Sequence, residues 1–211
     1  MYIPAAFHER DTEKLFDLIE QFSFGLLVSE HDGAPFATHL PLLVDRSHAP
    51  SGCLVGHMAR PNPQWQQAEG QNVLAIFSGP HAYVSPTWYK AENVVPTWNY
   101  IAVHVYGTFH AIHDVDALLE IVGRYVDFFE AALPSPWKFD AASEYARNMA
   151  RGIVGFRIAI SRLEGKWKLN QNQPRSRREK VVRALLASED ESSQAIAALM
   201  QRQLAERPTD E

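Results

Sequence analysis

The chain has 211 residues, of which 46% are hydrophobic and 21% are charged, and its formal net charge is −5. This composition is typical of a globular protein and excludes the disordered and fibrous classes. The net acidity argues against binding nucleic acid through overall charge, although a local basic patch stays open. The single cysteine, Cys53, excludes an intrachain disulfide framework.

The N-terminal segment, residues 1–10, has no basic stretch followed by an apolar run, so no signal peptide is predicted. No stretch of the sequence is long and apolar enough to span a bilayer. We therefore expect a cytoplasmic protein without membrane contact.

The first half of the chain is predicted to contain mostly short strands. A helix beginning at Asp11 or Thr12 and ending at Gly25 precedes them, because apolar residues recur there with helical spacing. An Asp32-Gly33 turn separates the first two strands, a polar loop covers residues 45–52, and a short helix covers residues 64–69. The predicted strands cover residues 24–29, 36–44, 53–58, 73–77 and 81–85, the last two separated by a Gly79-Pro80 turn.

The second half is predicted to combine long strands with helices. One strand covers residues 98–112, and Asp114 caps an amphipathic helix that Pro134 and Pro136 end. A shorter helix over 141–151 and a strand over 153–163 follow, and two helices occupy residues 176–205 with a break near 188–192. This order favours an α+β fold, an antiparallel barrel decorated by helices, over alternating βαβ units.

The segment Gly56–Trp65 leaves a strand and enters a helix through an asparagine. Arg60 offers a planar fork suited to bidentate phosphate contact, and Asn62 precedes a proline at the first helical position. A helix N-terminus also presents unpaired N–H groups to an anion. The alternative interpretation is a plain helix cap next to a surface arginine.

Thr38 and His39 interrupt an otherwise apolar strand that ends in Leu40 and Pro41. Because proline cannot donate to a ladder, this strand is predicted to lie at an edge or a bulge. An edge could offer backbone groups to a flat polar ring. On local evidence the alternative, a buried histidine with satisfied hydrogen bonds, is favoured.

Two further segments are candidates for ligand contact. Pro-Thr-Trp occurs twice, at 86–88 and 96–98, and the second copy continues into Asn99 and Tyr100; such flat aromatic area suits ring stacking, a subunit interface or core packing. The segment 166–174 is dense in amides and cations, including Lys168 and Gln171. It could bind a ligand or merely connect the last strand to the terminal helices.

Other chemistry is weakly supported. The sequence has no P-loop, dinucleotide fingerprint or zincin motif, and Cys53 in an apolar strand is predicted to be core. The basic residues of the tail, from Arg175 to Arg183, are interpreted as a solvated helix face rather than a nucleic-acid contact. No helix-turn-helix pattern accompanies them.

Taken in order, these segments resemble the PaiB family of FMN-binding negative transcriptional regulators. The matching motifs are Met1-Tyr2-Ile3-Pro4, Thr38-His39-Leu40-Pro41, Gly56-His57-Met58-Ala59-Arg60 with Asn62-Pro63, His81-Ala82-Tyr83-Val84-Ser85-Pro86, Val95-Pro96-Thr97-Trp98-Asn99-Tyr100 with Val103-His104-Val105-Tyr106-Gly107, and Lys168-Leu169-Asn170-Gln171-Asn172. The resemblance implies a split β-barrel like that of the pyridoxamine-phosphate-oxidase and flavin-reductase group. It also implies a homodimer with FMN at the subunit interface.

The resemblance assigns roles to ten residues. Arg60 and Asn62 hold the FMN phosphate; Thr38, His39 and Leu40 line the isoalloxazine edge; Trp98, Asn99 and Tyr100 wall the pocket, from the same or the partner subunit; Lys168 and Gln171 complete it. The resemblance further implies that residues 1–174 form the FMN-binding domain and that residues 175–211 form a helical tail.

The function implied by the resemblance is that of a flavin-binding negative regulator of transcription. A flavin-dependent oxidoreductase is one alternative, since flavin chemistry depends mostly on positioning; haem binding is another, since the chain has nine histidines. Whether the protein is an enzyme stays open, and no catalytic residue or metal site is assigned. DNA is a possible partner that neither net charge nor a motif supports.

Overall fold

The computed structural model describes residues 1–47 and 52–206. Within them the fold is α+β, with eight strands and six helices. The strands are β1 (His8–Glu9), β2 (Phe24–His31), β3 (Ala34–Pro41), β4 (Leu43–Asp45), β5 (Cys53–Ala59), β6 (Asn72–Val84), β7 (Thr97–Ile112) and β8 (Ile153–Lys168). The helices are α1 (Thr12–Gln21), α2 (Gln64–Ala68), α3 (Val115–Glu130), α4 (Glu144–Ala150), α5 (Arg175–Leu186) and α6 (Glu191–Glu206).

The strands form one sheet in the order β3-β2-β6-β7-β8-β5-β4, and β1 pairs with β8. The pairs β2–β3, β2–β6, β4–β5 and β5–β8 are antiparallel. This is the antiparallel half-barrel that the sequence predicted. None of the helices in the described part of the chain is long and apolar enough to cross a membrane.

The chain folds as two compact units. The first unit contains Met1–Leu15, Ser78–Val103 and the described residues from Glu164 onward; the second contains Phe16–Phe77 and His104–Leu163. Strands β6, β7 and β8 contribute residues to both units.

The core of the second unit is built on the alternation of β8. Val154, Phe156 and Ile158 are fully buried, and the Phe156 ring stacks on Phe109 with centroids 4.8 Å apart. Burial of each such side chain contributes about 1.5–3 kcal/mol. Between them, Gly155 admits α3, since an added Cβ would lie 2.7 Å from Leu118.

The core of the first unit contains the face shared by α5 and α6. Val181 and Ile196 are fully buried there. Arg178 is also buried, 2% exposed, and its Nη2 donates to Gln203 Oε1 at 2.9 Å. The expectation of a solvated basic face is therefore wrong for Arg178, because a neutral amide and helix packing enclose its guanidinium.

The capping residues predicted from the sequence mark the starts of α1 and α3. Asp11 accepts from the Glu13 N–H at 3.0 Å at the start of α1, and Asp114 accepts from the Ala117 N–H at 2.9 Å at the start of α3. The predicted end of α1 is wrong, since the helix stops at Gln21 and Gly25 lies within β2. Glycine is required there because a Cβ would lie 2.9 Å from the Phe77 ring.

Three predicted strand boundaries are wrong. Residues 73–77 and 81–84 belong to one strand, β6, which ends before Ser85; the predicted strand 36–44 divides at Leu42 into β3 and β4; and β8 continues past residue 163 to Lys168. The division has a clear cause, since the Leu42 N–H leaves the ladder to donate to Ser23 O at 2.8 Å. Part of the predicted loop 45–52, residues 48–51, lies outside the described residues.

Candidate functional site

Arg60 directly follows β5 and is anchored at three atoms. Its backbone N–H donates to Gly152 O at 2.9 Å, Nε donates to Arg151 O at 2.7 Å, and Nη2 donates to Ile153 O at 2.7 Å. Within residues 1–47 and 52–206, Nη1 has no hydrogen-bond partner. The guanidinium is thus fixed in orientation with one nitrogen left to donate to a ligand.

Asn62 joins this segment to β3. Its Oδ1 accepts from the Gln64 N–H at 3.0 Å, and its Nδ2 donates to Thr38 Oγ1 at 3.1 Å. Asn62 thus bonds the first N–H of α2 as predicted, but the helix begins one residue later than the predicted first helical position, Pro63, which stands at the N-cap position. The structure also brings together two residues, Thr38 and Asn62, that lie 24 positions apart.

Gln64, which was not among the predicted site residues, fastens the same segment to β2. It is fully buried, and its Nε2 donates to Leu27 O at 3.1 Å and to Ser29 Oγ at 3.0 Å. Its Oε1 has no partner in the described part of the chain. No spacing pattern could have identified this residue, because its partners Leu27 and Ser29 lie on β2, 37 and 35 residues away.

The edge strand β3 presents a flat aromatic surface. His39 is exposed, and its ring stacks on Phe24 with centroids 6.2 Å apart and an interplanar angle of 23°. The favoured interpretation of a buried histidine is therefore wrong, whereas the predicted edge position is confirmed. Leu40 is buried, so only its backbone can reach a ligand. Phe24 was missed, although its place on the outward face of a strand was a usable signal.

Side chains at the start of β7 alternate between exposed and buried positions on either side of Asn99. Trp98 is 53% exposed and contacts Tyr83 with ring centroids 5.8 Å apart. Asn99 is fully buried, and its Nδ2 contacts Met200 Sδ at 3.4 Å. Tyr100 faces Lys166, whose Nζ lies 5.0 Å from its ring centroid. The core-packing alternative thus applies to Asn99 but not to Trp98.

Lys168 and Gln171 hold backbone near the end of β8. Lys168 Nζ donates to Trp98 O at 2.7 Å and to Thr97 Oγ1. Burial, and next the charge of Lys166, lower the Lys168 pKa. Gln171 Oε1 accepts from the Leu169 N–H at 2.7 Å, and its Nε2 donates to Trp167 O. The Gln171 side chain thereby closes its own turn.

The ten predicted site residues fall into two groups. Thr38, His39, Leu40, Arg60 and Asn62 belong to the second unit, and Trp98, Asn99, Tyr100, Lys168 and Gln171 belong to the first. In the second unit Thr38 and Asn62 are in direct contact. In the first unit Lys168 contacts the backbone of Trp98.

Other titratable groups near the second unit's core are structural. Burial raises the pKa of the Cys53 thiol and lowers that of His57. The Tyr125 hydroxyl bonds Pro41 O at 2.6 Å and Val55 O at 3.0 Å. Cys53 is 1% exposed, which confirms its predicted core position. Among the residues described, no three His, Cys, Asp or Glu side chains are placed to hold a metal ion.

The sheet and its helices define a fold class, the split barrel. The flavocytochrome Anf3 of Azotobacter vinelandii superposes with a TM-score of 0.60 at 15% identity, over 76% of this chain and 69% of that one. An FAD- and haem-binding protein of Mycobacterium smegmatis superposes with a TM-score of 0.58 at 17% identity, over 76% and 73%. At these identities the likeness establishes the fold alone.

The family follows from sequence comparison. Residues 1–162 match the family model described as "Putative FMN-binding domain". The protease synthase and sporulation protein PAI 2 of Bacillus subtilis is 36% identical over 206 residues, covering 97% of this chain and 98% of that protein. The chain therefore belongs to this FMN-binding split-barrel family, the PaiB family.

Proposed function

We propose that the protein binds FMN and that Arg60 and Asn62 hold its phosphate. The observation that carries this proposal is the anchored guanidinium of Arg60: two of its nitrogens are fixed by Arg151 O and Ile153 O. The third, Nη1, faces no partner within the described residues. A prepositioned guanidinium is well suited to a phosphate because little side-chain freedom is lost on binding.

The residues of β3 fit a planar ring. The stacked pair of His39 and Phe24 offers flat exposed area, and Thr38 joins this strand to Asn62. We assign Thr38, His39 and Leu40 to the isoalloxazine edge. Bound FMN supplies the redox chemistry, and this chain supplies orientation and hydrogen bonds.

The other five residues serve as a wall in this proposal. Trp98 and Tyr100 present ring surface, while Lys168 orients Trp98 through its carbonyl. Asn99 keeps β7 in place through its contact with Met200. Gln171 keeps the turn after β8 in place through its bond to Trp167 O.

A flavin titration tests the proposal. The fluorescence of FMN is followed as protein is added to it, in separate titrations with the wild type, Arg60→Ala and Arg151→Ala. A charge-assisted hydrogen bond contributes about 1.5–3 kcal/mol, so Arg60→Ala should weaken FMN binding about tenfold or more. Arg151→Ala removes a nearby charge but keeps the carbonyl that anchors Arg60, and should change affinity less than about twofold. Equal FMN affinity in the wild type and Arg60→Ala would refute the phosphate assignment.

Haem is the second candidate ligand. Its support is the fold shared with a flavocytochrome and with an FAD- and haem-binding protein, together with the exposed imidazole of His39. Titration with haemin separates the two, because haem gives a Soret band. Haem retained after filtration, with FMN lost, would favour haem.

We further propose, from family membership, that the protein acts in the cytoplasm as a homodimer that represses transcription. Light scattering should give twice the chain mass. Retention of promoter DNA that changes when FMN is added would support the regulatory role. NAD(P)H oxidation that depends on FMN, without DNA retention, would favour a reductase.

A further inference from the structure

The first unit contains a cavity that shares only Lys168 with the ten residues assigned to the flavin. Its volume is about 180 Å³. The cavity lies among the loop before β7, the turn after β8 and the first turn of α5. Its polar lining comes mainly from Thr97, Lys168, Asn170, Gln173 and Arg177.

Two cations line this cavity, and no carboxylate does. Lys168 donates to Trp98 O and Thr97 Oγ1, and Arg177 Nη1 donates to Gln173 Oε1 at 3.0 Å. All of these acceptors are neutral. Across the ranges that the structure describes, neither Lys168 nor Arg177 takes part in an ion pair. The cavity therefore carries two positive charges that no protein carboxylate balances.

A buried amide adds a polar group to the lining. Asn170 is 2% exposed, and its Nδ2 donates to the Tyr89 hydroxyl at 2.7 Å. Its Oδ1 has no partner in the described part of the chain. Because a phenol hydroxyl both donates and accepts, Tyr89 can hold the amide in either orientation. Asn170 can thus turn its NH₂ group toward an anion.

The size of the cavity limits the ligand. Clefts that hold drug-sized molecules measure about 300–1,000 Å³, and this one, at about 180 Å³, is smaller. A tricyclic flavin ring is too large for it, whereas a tetrahedral anion is not.

We propose that Lys168 and Arg177, with Asn170, bind the phosphate group of a small ligand in this cavity. The residues of this site belong to the first unit, whereas Arg60 belongs to the second. A phosphate dianion matches the two unbalanced charges, and the amide and hydroxyl groups satisfy its remaining oxygens.

Calorimetric titration with inorganic phosphate at low ionic strength tests the site. The wild type should bind phosphate saturably, and Arg177→Ala should weaken binding about tenfold or more, as expected for one charge-assisted hydrogen bond. Arg177→Lys should weaken it less, because it keeps the charge. Arg183→Ala is the matched control, since it removes the same charge from an exposed position of α5 and should change affinity less than about twofold. Absence of saturable binding by the wild type, or equal losses in Arg177→Ala and Arg183→Ala, would overturn the proposal.

A second arm separates a small phosphorylated ligand from FMN. Phosphate is titrated into protein saturated with FMN, and FMN affinity is measured in Arg177→Ala. We expect phosphate binding to persist within about threefold and FMN affinity to stay at the wild-type value. Loss of phosphate binding on FMN saturation, together with weakened FMN binding in Arg177→Ala, would show that the cavity holds the FMN phosphate, and the separate site would be refuted. Because Arg177 is only partly buried, we expect Arg177→Ala to fold.

Discussion

Two segments of this protein present cations next to a buried amide, and they use the amide differently. In the second unit, Gln64 fastens the Arg60 segment to the backbone of β2 and to Ser29. In the first unit, Asn170 has one partner, the Tyr89 hydroxyl, and borders a cavity. One amide therefore joins secondary structure, whereas the other holds only a turn.

The cations differ in the same way. Arg60 is fixed on backbone carbonyls at its Nε and Nη2, which leaves a single nitrogen for a ligand. Arg177 donates to the Gln173 side chain, and Lys168 donates to the Thr97 hydroxyl and the Trp98 carbonyl, all of them neutral. The guanidinium of Arg60, held by two carbonyls, has a defined direction, while Lys168 and Arg177 together keep net charge in a concave space. We infer that the first arrangement favours orientation and the second favours electrostatic attraction.

The strongest test of this contrast removes the amide of Gln64, which joins α2 to β2. Gln64→Ala should lower the free energy of unfolding by about 2–4 kcal/mol, because it leaves buried acceptors on Leu27 and Ser29 unsatisfied. Urea denaturation measures the change. Gln67→Ala, in the same helix but bonded to exposed Asp32, should lower it by less than about 1 kcal/mol. Similar losses in both variants would show that Gln64 has no special role.

A smaller loss is expected in the first unit. Asn170→Ala should lower the free energy of unfolding by about 1–2 kcal/mol, because it removes the bond to Tyr89 and leaves alanine at a φ of 63°. Asn170→Gly relieves the backbone strain and isolates the hydrogen bond. A loss equal to that of Gln64→Ala would contradict the contrast between the two amides.

The smallest effect is a dependence on acid. The Ser47 hydroxyl, 2.6 Å away, and then Arg124, 2.9 Å away, lower the pKa of Asp45 in the second unit to about 2 from 3.8. A depressed carboxyl pKa stabilises the fold above the unfolded value, and this contribution is lost as pH falls from about 4 to about 2. The wild type should lose about 1 kcal/mol more than Asp45→Asn over that interval, after allowance for solvent screening.

The matching control is a variant in the cavity of the first unit next to Asn170, because the lining of that cavity contains no carboxylate. Arg177→Ala should leave the acid dependence of unfolding parallel to that of the wild type. If the difference in unfolding free energy between the wild type and Asp45→Asn did not change with pH, Asp45 would not be stabilised by its partners.

Local chemistry could be read from the sequence where a contact spans a few residues. The caps at Asp11 and Asp114 and the role of Asn62 toward Gln64 were predictable because each joins a side chain to an N–H two or three residues later. The overall α+β order and the edge position of β3 followed from periodicity and from Pro41.

Contacts distant in sequence could not be read in this way. The continuity of β6 was missed because Gly79 and Pro80 are typical of turns, yet only Leu74, Ala75 and Ile76 pair with β2, so Pro80 removes no bond from that pair. The burial of Arg178 depends on Gln203, 25 residues away. Gln64 and the cavity next to Asn170 likewise form only when separate segments meet.

The edge strand β3 also bears on how the sheet avoids edge-to-edge pairing with a strand of another chain. Its register with β2 runs from Ala34 to Pro41, and prolines stand at positions 35 and 41. Proline has no N–H to offer an incoming strand, so between the two prolines a second chain would find outward N–H groups only on alternate residues of 36–40. That is about 17 Å of backbone, long enough to receive the heteroatoms of a planar ring but a short template for amyloid-like growth.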